Sequence, residues 1–262
     1  MKNKKKEFKY IYGPVSSWRL GRSLGIDPLS QKNKICGFDC VYCQVGRAKP
    51  DILRRKCFIK TQDIVDEIKE VFSTKNIQTD YITFSGRGEP TQAKNLGELI
   101  TAVKKIRKEP VAVITNSSLL YRKDVRIQLA KADLVMAKLD ADSAKTLFCI
   151  NRPAKAIIFN RIISGLKKFK QEFNGKLALQ IMFLKSNQNL AAKIAKIAKE
   201  IQPEEIQINT PLRKNPCKAL SRAEIKKIEL IFTGFNIVSV YKGKNKKIQP
   251  ISSKSTLKRR GK

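Results

Sequence analysis

The sequence predicts an α/β fold in which a parallel sheet is covered by helices. Three observations carry that reading. Short, mostly apolar runs of β type alternate six times with longer stretches whose apolar residues recur at helical spacing. Strands that are apolar on both faces belong to a sheet buried under helices rather than to one with a wet face. At 262 residues the chain is long enough to bury a full-sized core, and α/β barrels of such length fold as one domain. Six βα units suit either a doubly wound sheet or an incomplete barrel, and periodicity does not choose between them. In both, functional residues gather at the C-terminal ends of the strands.

Residues 1–10 read as a basic lead, and the segment from Gly13 to Asp27 ends in a first strand, Ser23–Ile26. A cysteine-bearing loop follows, where Gly37 and Gly46 loosen the backbone. Thr61 to Phe72 places Ile64, Ile68, Val71 and Phe72 on one helical face. Tyr81–Ser85 is the next strand and runs into Gly-Arg-Gly-Glu-Pro. Leu96, Leu99, Ile100 and Val103 mark a helix before the strand Val111–Thr115, and Leu134–Lys138 is a further strand. A helical stripe of Ile158, Ile162, Leu166 and Phe169 leads to the strand Leu177–Phe183. Leu190, Ile194, Ile197 and Ile201 repeat the pattern before Ile206–Ile208. Ser221 with Glu224 forms a capping box that opens a last helix, Arg222–Phe232. The core domain is expected over residues 11–241, and residues 242–262, rich in Lys and Ser, as a loosely ordered basic tail.

Charge sets the next bound. The net charge is +33, of which residues 1–9 contribute +4 and residues 242–262 contribute +9, so the excess extends through the core. Such a field attracts polyanions, and RNA, tRNA included, is the partner it suggests. Solvated lysine faces with no such partner are the alternative. No apolar run approaches the ~20 residues of a membrane-spanning helix, and the basic start lacks the apolar segment of a signal peptide. No membrane association is expected, and a cytoplasmic chain with reduced thiols is.

The chemistry concentrates in Cys36-Gly-Phe-Asp-Cys40-Val-Tyr-Cys43. Three thiols within eight residues suit thiolate ligation of a soft metal or an iron–sulfur cluster. Structural zinc takes four protein ligands, and the chain has no histidine. A zinc site would need Cys57, Cys149, Cys217 or a carboxylate as the fourth; those three cysteines form no ligand set by spacing and read as small or incidental residues. A zinc-stabilised, non-catalytic RNA-binding protein is therefore the alternative reading. A disulfide framework does not suit an odd local cluster.

The spacing Cys-x3-Cys-x2-Cys, with Tyr42 before the last cysteine, resembles the signature of the radical S-adenosylmethionine (radical SAM) superfamily. The flanks, Tyr12-Gly-Pro-Val-Ser-Ser-Trp-Arg-Leu-Gly-Arg-Ser-Leu-Gly-Ile-Asp27 and Gln44-Val-Gly-Arg47, are similar to the Fe–S oxidoreductases grouped with wybutosine tRNA-modification enzymes. The resemblance runs over roughly residues 10–240 and implies a partial (β/α)6 barrel. It also implies that Cys36, Cys40 and Cys43 hold three irons of a [4Fe–4S] cluster while SAM chelates the fourth. Reductive cleavage of SAM would then give a 5′-deoxyadenosyl radical that abstracts hydrogen from a substrate, with a flavodoxin or ferredoxin as electron donor. A glycyl-radical activase, acting on a protein, is a variant of the same chemistry. Wybutosine-forming relatives are expected to carry a second cluster with cysteines ahead of the main motif; none precedes Cys36, so the resemblance does not extend to an identical reaction, while RNA modification stays open.

Further site residues follow at successive strand ends. Phe84-Ser-Gly-Arg-Gly-Glu-Pro-Thr91 has glycines at 86 and 88 that allow close backbone approach, and Glu89 as an acceptor. It resembles the superfamily's Gly-Gly-Glu-Pro element, with Arg87 between the glycines, and implies that Gly86, Gly88, Glu89 and Pro90 hold the amino end of SAM. Asn116 and Ser117 either bond SAM or form an Asx/Ser turn. Lys138 and Asp140 share one face of their strand end, where they either form a plain ion pair at the barrel rim or serve the site; the resemblance implies that Lys138 neutralises the SAM carboxylate and Asp140 reaches ribose or substrate. Phe38 and Tyr42 would either shield the cluster from water or serve as plain core aromatics. Asn151, Gln180, Met182 and Asn209 lie near later strand ends, and Arg152 and Arg213 are candidates to grip an anionic substrate, since guanidinium forks match phosphate. Arg19, Arg22, Arg47, Arg54 and Arg55 could extend that basic surface.

Overall fold

The computed structural model describes residues 8–47, 54–213, 215–243, 246 and 248–260. Residues 1–7 of the expected basic lead lie outside them, but its end is tied down: the backbone N–H groups of Lys9, Tyr10 and Ile11 all donate to the Glu67 carboxylate.

One eight-stranded sheet runs in sequence order: β1 (Ile11–Ser17), β2 (Gly21–Ile26), β3 (Tyr81–Phe84), β4 (Val111–Thr115), β5 (Leu134–Lys138), β6 (Lys176–Met182), β7 (Glu205–Asn209) and β8 (Ile237–Ser239). β1 pairs antiparallel with β2, and every later pairing is parallel. The outer layer comprises α1 (Thr61–Thr74), α2 (Leu96–Ile106), α3 (Lys123–Leu129), α4 (Ala144–Asn151), α5 (Phe159–Glu172), α6 (Ala191–Ile201) and α7 (Arg222–Ile231). The six expected strands are all present and all parallel; β1 and β8 extend them at the two edges.

Alternation along the strands shows how the sheet curls. Val113, Val135, Leu177 and Leu179 point outward into the main core beneath Ile64, Ile68, Leu99, Ile100, Leu166 and Ile194 of the helices. Ala112, Leu134, Met136 and Ala178 face inward and close with Leu20, from the β1–β2 turn, into a second small core. The result is a partial (β/α) barrel, open between β1 and β8, whose floor is plugged by that turn. The Ser221 capping box forms as expected, with Ser221 N donating to Glu224 at 2.8 Å and Glu224 N to Ser221 Oγ at 3.3 Å.

The C-terminal tail departs from expectation. Ser253–Arg260 form a helix, α8, packed on β1, with Ser255, Thr256 and Arg259 buried. Gly13 donates to Thr256 Oγ1 at 3.1 Å and accepts from Ile251 N at 2.6 Å. The docking is polar, so no apolar stripe announces it.

Candidate active site

The loop from Asp27 to Arg47 crosses the C-terminal ends of the strands, held on two sides. On one side Glu89 N donates to Ile35 O at 2.8 Å and Ile35 N to Arg87 O at 3.2 Å. On the other, Asp39 N donates to Asn151 O at 3.0 Å, Val41 N to Ile150 O at 2.9 Å, and Ala154 N to Gly37 O at 2.9 Å. Cys36 is buried, Cys40 and Cys43 are partly buried, and all three are free thiols. Each sulfur faces a nitrogen donor. Asn116 Nδ2 lies 3.5 Å from Cys36 Sγ, Asn151 Nδ2 3.3 Å from Cys40 Sγ, and Lys34 Nζ 3.0 Å from Cys43 Sγ. Phe38 N adds a donor to Cys36 at 3.4 Å.

Burial pushes the Cys36 thiol up to about 12 and the Cys40 thiol up to about 11. Without a metal these thiols stay protonated in neutral water; a metal draws out the thiolate. Among the described residues no group of three His, Cys, Asp or Glu side chains is placed to hold a single metal ion. Three free sulfurs on one loop, ringed by N–H donors, fit a polynuclear iron–sulfur centre, whose sulfurs such donors stabilise.

The turn after β3 packs closely against the cysteine loop. Gly86 and Gly88 make room for the protein itself: a Cβ at Gly86 (φ +153°) would meet Asp27 Cγ at 2.4 Å, and one at Gly88 would meet Ile35 O at 2.0 Å. Pro90 opens a short 3-10 turn and is buried. Glu89 is buried and held by four donors: Thr91 N at 3.1 Å, Thr91 Oγ1 at 2.7 Å and Thr115 Oγ1 at 2.6 Å to Oε1, and Asn116 N at 2.6 Å to Oε2. Burial raises its pKa against those bonds.

Asp140 and Ser117 also turn inward. Asp140 accepts from Tyr42 OH, from Asn151 Nδ2 at 2.8 Å and from Met182 N at 2.8 Å, and Ser117 Oγ donates to Lys138 O at 2.9 Å. Neither lines the main cavity, because the network that fixes Tyr42 takes up the Asp140 carboxylate. Burial raises the Tyr42 pKa well above the ordinary value, so it stays a neutral donor. Lys138 Nζ sits 4.9 Å over the Tyr42 ring centre and 3.5 Å from Asp140, with its side chain in the cavity wall.

That cavity, of about 500 Å³, lies within the barrel between the cysteine loop and the β1–β2 turn. Cys36, Cys40, Cys43, Tyr42, Gly86, Gly88, Glu89, Asn116 and Lys138 all line it, with Gln180, Met182 and Asn209 further around. Among the arginines, Arg213 reaches it and donates to Gln44 Oε1 at 3.0 Å, whereas Arg152, an exposed left-handed cap ending α4, is not among its lining residues. Arg19 reaches the cavity too, but Arg22 pairs with Asp80 and Arg55 with Asp124, each at 2.6 Å, as structural ties. Arg47 and Arg54 lie outside the cavity wall. Cys57 and Cys149 are exposed, while Cys217 packs with Cys40 against Tyr42, Ile150, Met182 and Leu184. Lys34, Tyr12, Trp18 and Arg259 were not singled out as site residues by sequence reasoning, yet all line the cavity. Tyr12 and Trp18 fall in the quoted flank without a role assigned to them, Lys34 stands two residues before Cys36, and no local pattern marks Arg259.

Known proteins agree with this geometry. The radical SAM superfamily model matches residues 31–192. A UPF0026 protein of Synechocystis is 41% identical over 210 residues, 80% of this chain and 78% of that protein. Streptococcus suis SuiB, solved bound to S-adenosylmethionine, superposes with a TM-score of 0.61 at 16% identity, over 82% of this chain and 49% of SuiB, so the chain spans about half of that protein. Archaeal TYW1 superposes with a TM-score of 0.58 at 14% identity, over 82% of this chain and 72% of TYW1. The chain therefore belongs to the radical SAM superfamily, iron–sulfur enzymes whose members bind a [4Fe–4S] cluster and S-adenosylmethionine, and within it to the UPF0026 proteins.

Proposed function

We propose that the chain is a radical SAM enzyme in which Cys36, Cys40 and Cys43 hold the cluster and the barrel cavity receives SAM together with the reacting part of a substrate. The observation that carries this reading is the convergence of three free thiols, each facing a nitrogen donor, on the rim of one cavity. When bound, the cluster and SAM supply one-electron reductive cleavage of the sulfonium and a carbon radical able to abstract hydrogen. The protein positions the parts and keeps water out. Asn116, Asn151 and Lys34 stabilise the sulfurs. Lys138 offers a cation to the SAM carboxylate, and Glu89, through its bond to Asn116 N, sets the strand end that faces Cys36. Arg213 offers a guanidinium at the rim for an anionic substrate group.

RNA is the substrate class the charge favours, because the excess of 33 positive charges reaches well beyond the two ends of the chain. The zinc-stabilised alternative needs side chains converging on a single ion, an arrangement not found among the described residues. A flavodoxin or ferredoxin would supply the electron.

Anaerobic purification tests the reading. Wild-type protein is expected to hold about four irons and four sulfides per chain, and to release 5′-deoxyadenosine with SAM and a strong reductant. The triple Cys36→Ala, Cys40→Ala, Cys43→Ala variant is expected to lose both properties. A triple variant that keeps its iron would overturn the ligand assignment.

A further inference from the structure

The C-terminal helix reaches the turn that borders the SAM side of the cavity through one buried side chain. Arg259 is 7% exposed and lines the cavity. Its Nε lies 3.4 Å from Asp27 Oδ2, Nη1 donates to Ser255 Oγ at 2.6 Å, and Nη2 donates to Ser30 Oγ at 2.9 Å and to the Lys9 carbonyl. The guanidinium thus joins three separate stretches: the helix, the lead into β1, and the start of the cysteine loop.

Asp27 is fully buried and carries the connection onward. Its Oδ1 accepts from Leu29 N at 3.2 Å and Ser30 N at 3.0 Å, and its Oδ2 from Arg87 N at 3.3 Å. The same carboxylate fills the space where a Gly86 side chain would stand. A second route runs beside it. Arg259 lies 5.8 Å from the Tyr12 ring centre, and Tyr12 OH meets Ser85 Oγ at 2.6 Å. Two side-chain chains therefore lead from α8 to residues 85–87, immediately before Glu89. Burial raises the Asp27 pKa, with backbone donors and Arg259 acting against the shift. Losing the cation would leave a buried carboxylate with only N–H donors, or protonate it and weaken its hold on Arg87 N.

We propose that Arg259 is a positioning residue, a latch by which the C-terminal helix, through Asp27 and Tyr12, holds the Ser85–Gly88 turn in the shape that binds SAM. The inference rests on the assignment of the cavity to SAM made above. It makes the tail part of the cofactor site although its sequence carries no superfamily motif. Trp18, the only tryptophan, provides a reporter, because it lines the cavity and Gly243 of the tail lies directly against it.

The test uses full-length, cluster-loaded protein and reads SAM affinity by equilibrium dialysis, iron content, and Trp18 emission. Arg259→Gln is expected to weaken SAM binding about tenfold at unchanged iron content. Asp27→Asn alone is expected to weaken it similarly, and the double variant to be no worse than either single one. Should Arg259→Gln fail to fold, Arg259→Lys, which keeps the charge and loses the fork, carries the test with a smaller expected loss. Wild-type affinity in a folded Arg259 variant, or fully additive losses in the double variant, would overturn the latch alone. Cluster-loaded wild-type protein that binds no SAM would overturn the cavity assignment and the latch with it. A shift of Trp18 emission in Arg259→Gln separates a released tail from an undisturbed one.

Discussion

Glu89 illustrates how much of the site is settled by single side chains. A carboxylate has only acceptor oxygens, and here both oxygens face donors: two hydroxyls and one N–H on Oε1, and the Asn116 N–H on Oε2. Replacing one oxygen by NH2 sets a donor against a donor in a buried place. Glu89→Gln is thus expected to cost about 1–3 kcal/mol of folding stability, read by urea denaturation. It should also displace the Asn116 backbone, whose side chain faces Cys36, and so shift the spectrum of the reduced cluster. A variant with unchanged stability and spectrum would show that Glu89 is not the organiser of this strand end. Asp140 acts in the same way from the other side, because three donors fix it and it in turn fixes Tyr42 and, through Asn151, the surroundings of Cys40.

Between elements, the contact that matters most is the short parallel bridge of Ile35 to Gly88, which fastens the cysteine loop to the end of β3. A Cβ at Gly88 would stand 2.0 Å from the Ile35 carbonyl oxygen, a backbone atom that moves only with the loop. Gly88→Ala is accordingly expected to lower iron retention during gel filtration several-fold, with all three cysteines intact, and to destabilise the fold by roughly 1–3 kcal/mol. Full iron retention would mean that the loop holds its shape without the bridge. The sequence made the six inner strands and the capping box legible because each depends on local pattern: apolar runs, helical stripes, and a Ser–Glu pair three residues apart. It hid β1, which Gly13-Pro14 interrupts, and β8, which has three residues. It hid α8 too, since that helix docks by Ser255, Thr256 and Arg259 while Leu257 stays exposed. Strand-end motifs located Glu89, Asn116 and Lys138 on the cavity wall, because chain order alone brings these strand ends to one rim. The directions in which Asp140 and Ser117 point, and the arrival of Lys34 and Arg259, depend on contacts between distant stretches that no local pattern encodes.

At the scale of the whole molecule, charge decides the sign of one response. The chain has 55 basic and 22 acidic residues, so even complete pairing would leave 33 cations unmatched. Several visible ion pairs, such as Lys167–Glu200 at 2.7 Å and Lys104–Asp133 at 2.5 Å, are exposed on both sides. Pairs of that kind are each worth about 0–1 kcal/mol and weaken as salt is added. Repulsion among the unmatched cations weakens with salt as well, and there the loss of interaction stabilises the compact state. With excess charge outnumbering the acids available for pairing, repulsion dominates, and the melting temperature is expected to rise between about 20 and 300 mM sodium chloride, where the Debye length falls from about 20 Å to about 6 Å. An RNA partner would answer the same excess locally. Bulk tRNA at low salt should raise the melting temperature further, and that increment should vanish over the salt range in which the protein alone gains stability, because phosphate contacts are lost as counterions return. A melting temperature that falls with salt would mean that surface pairing outweighs repulsion. A salt-induced rise with no tRNA increment at any ionic strength would leave the lysines as solvated faces and remove the charge argument for an RNA substrate.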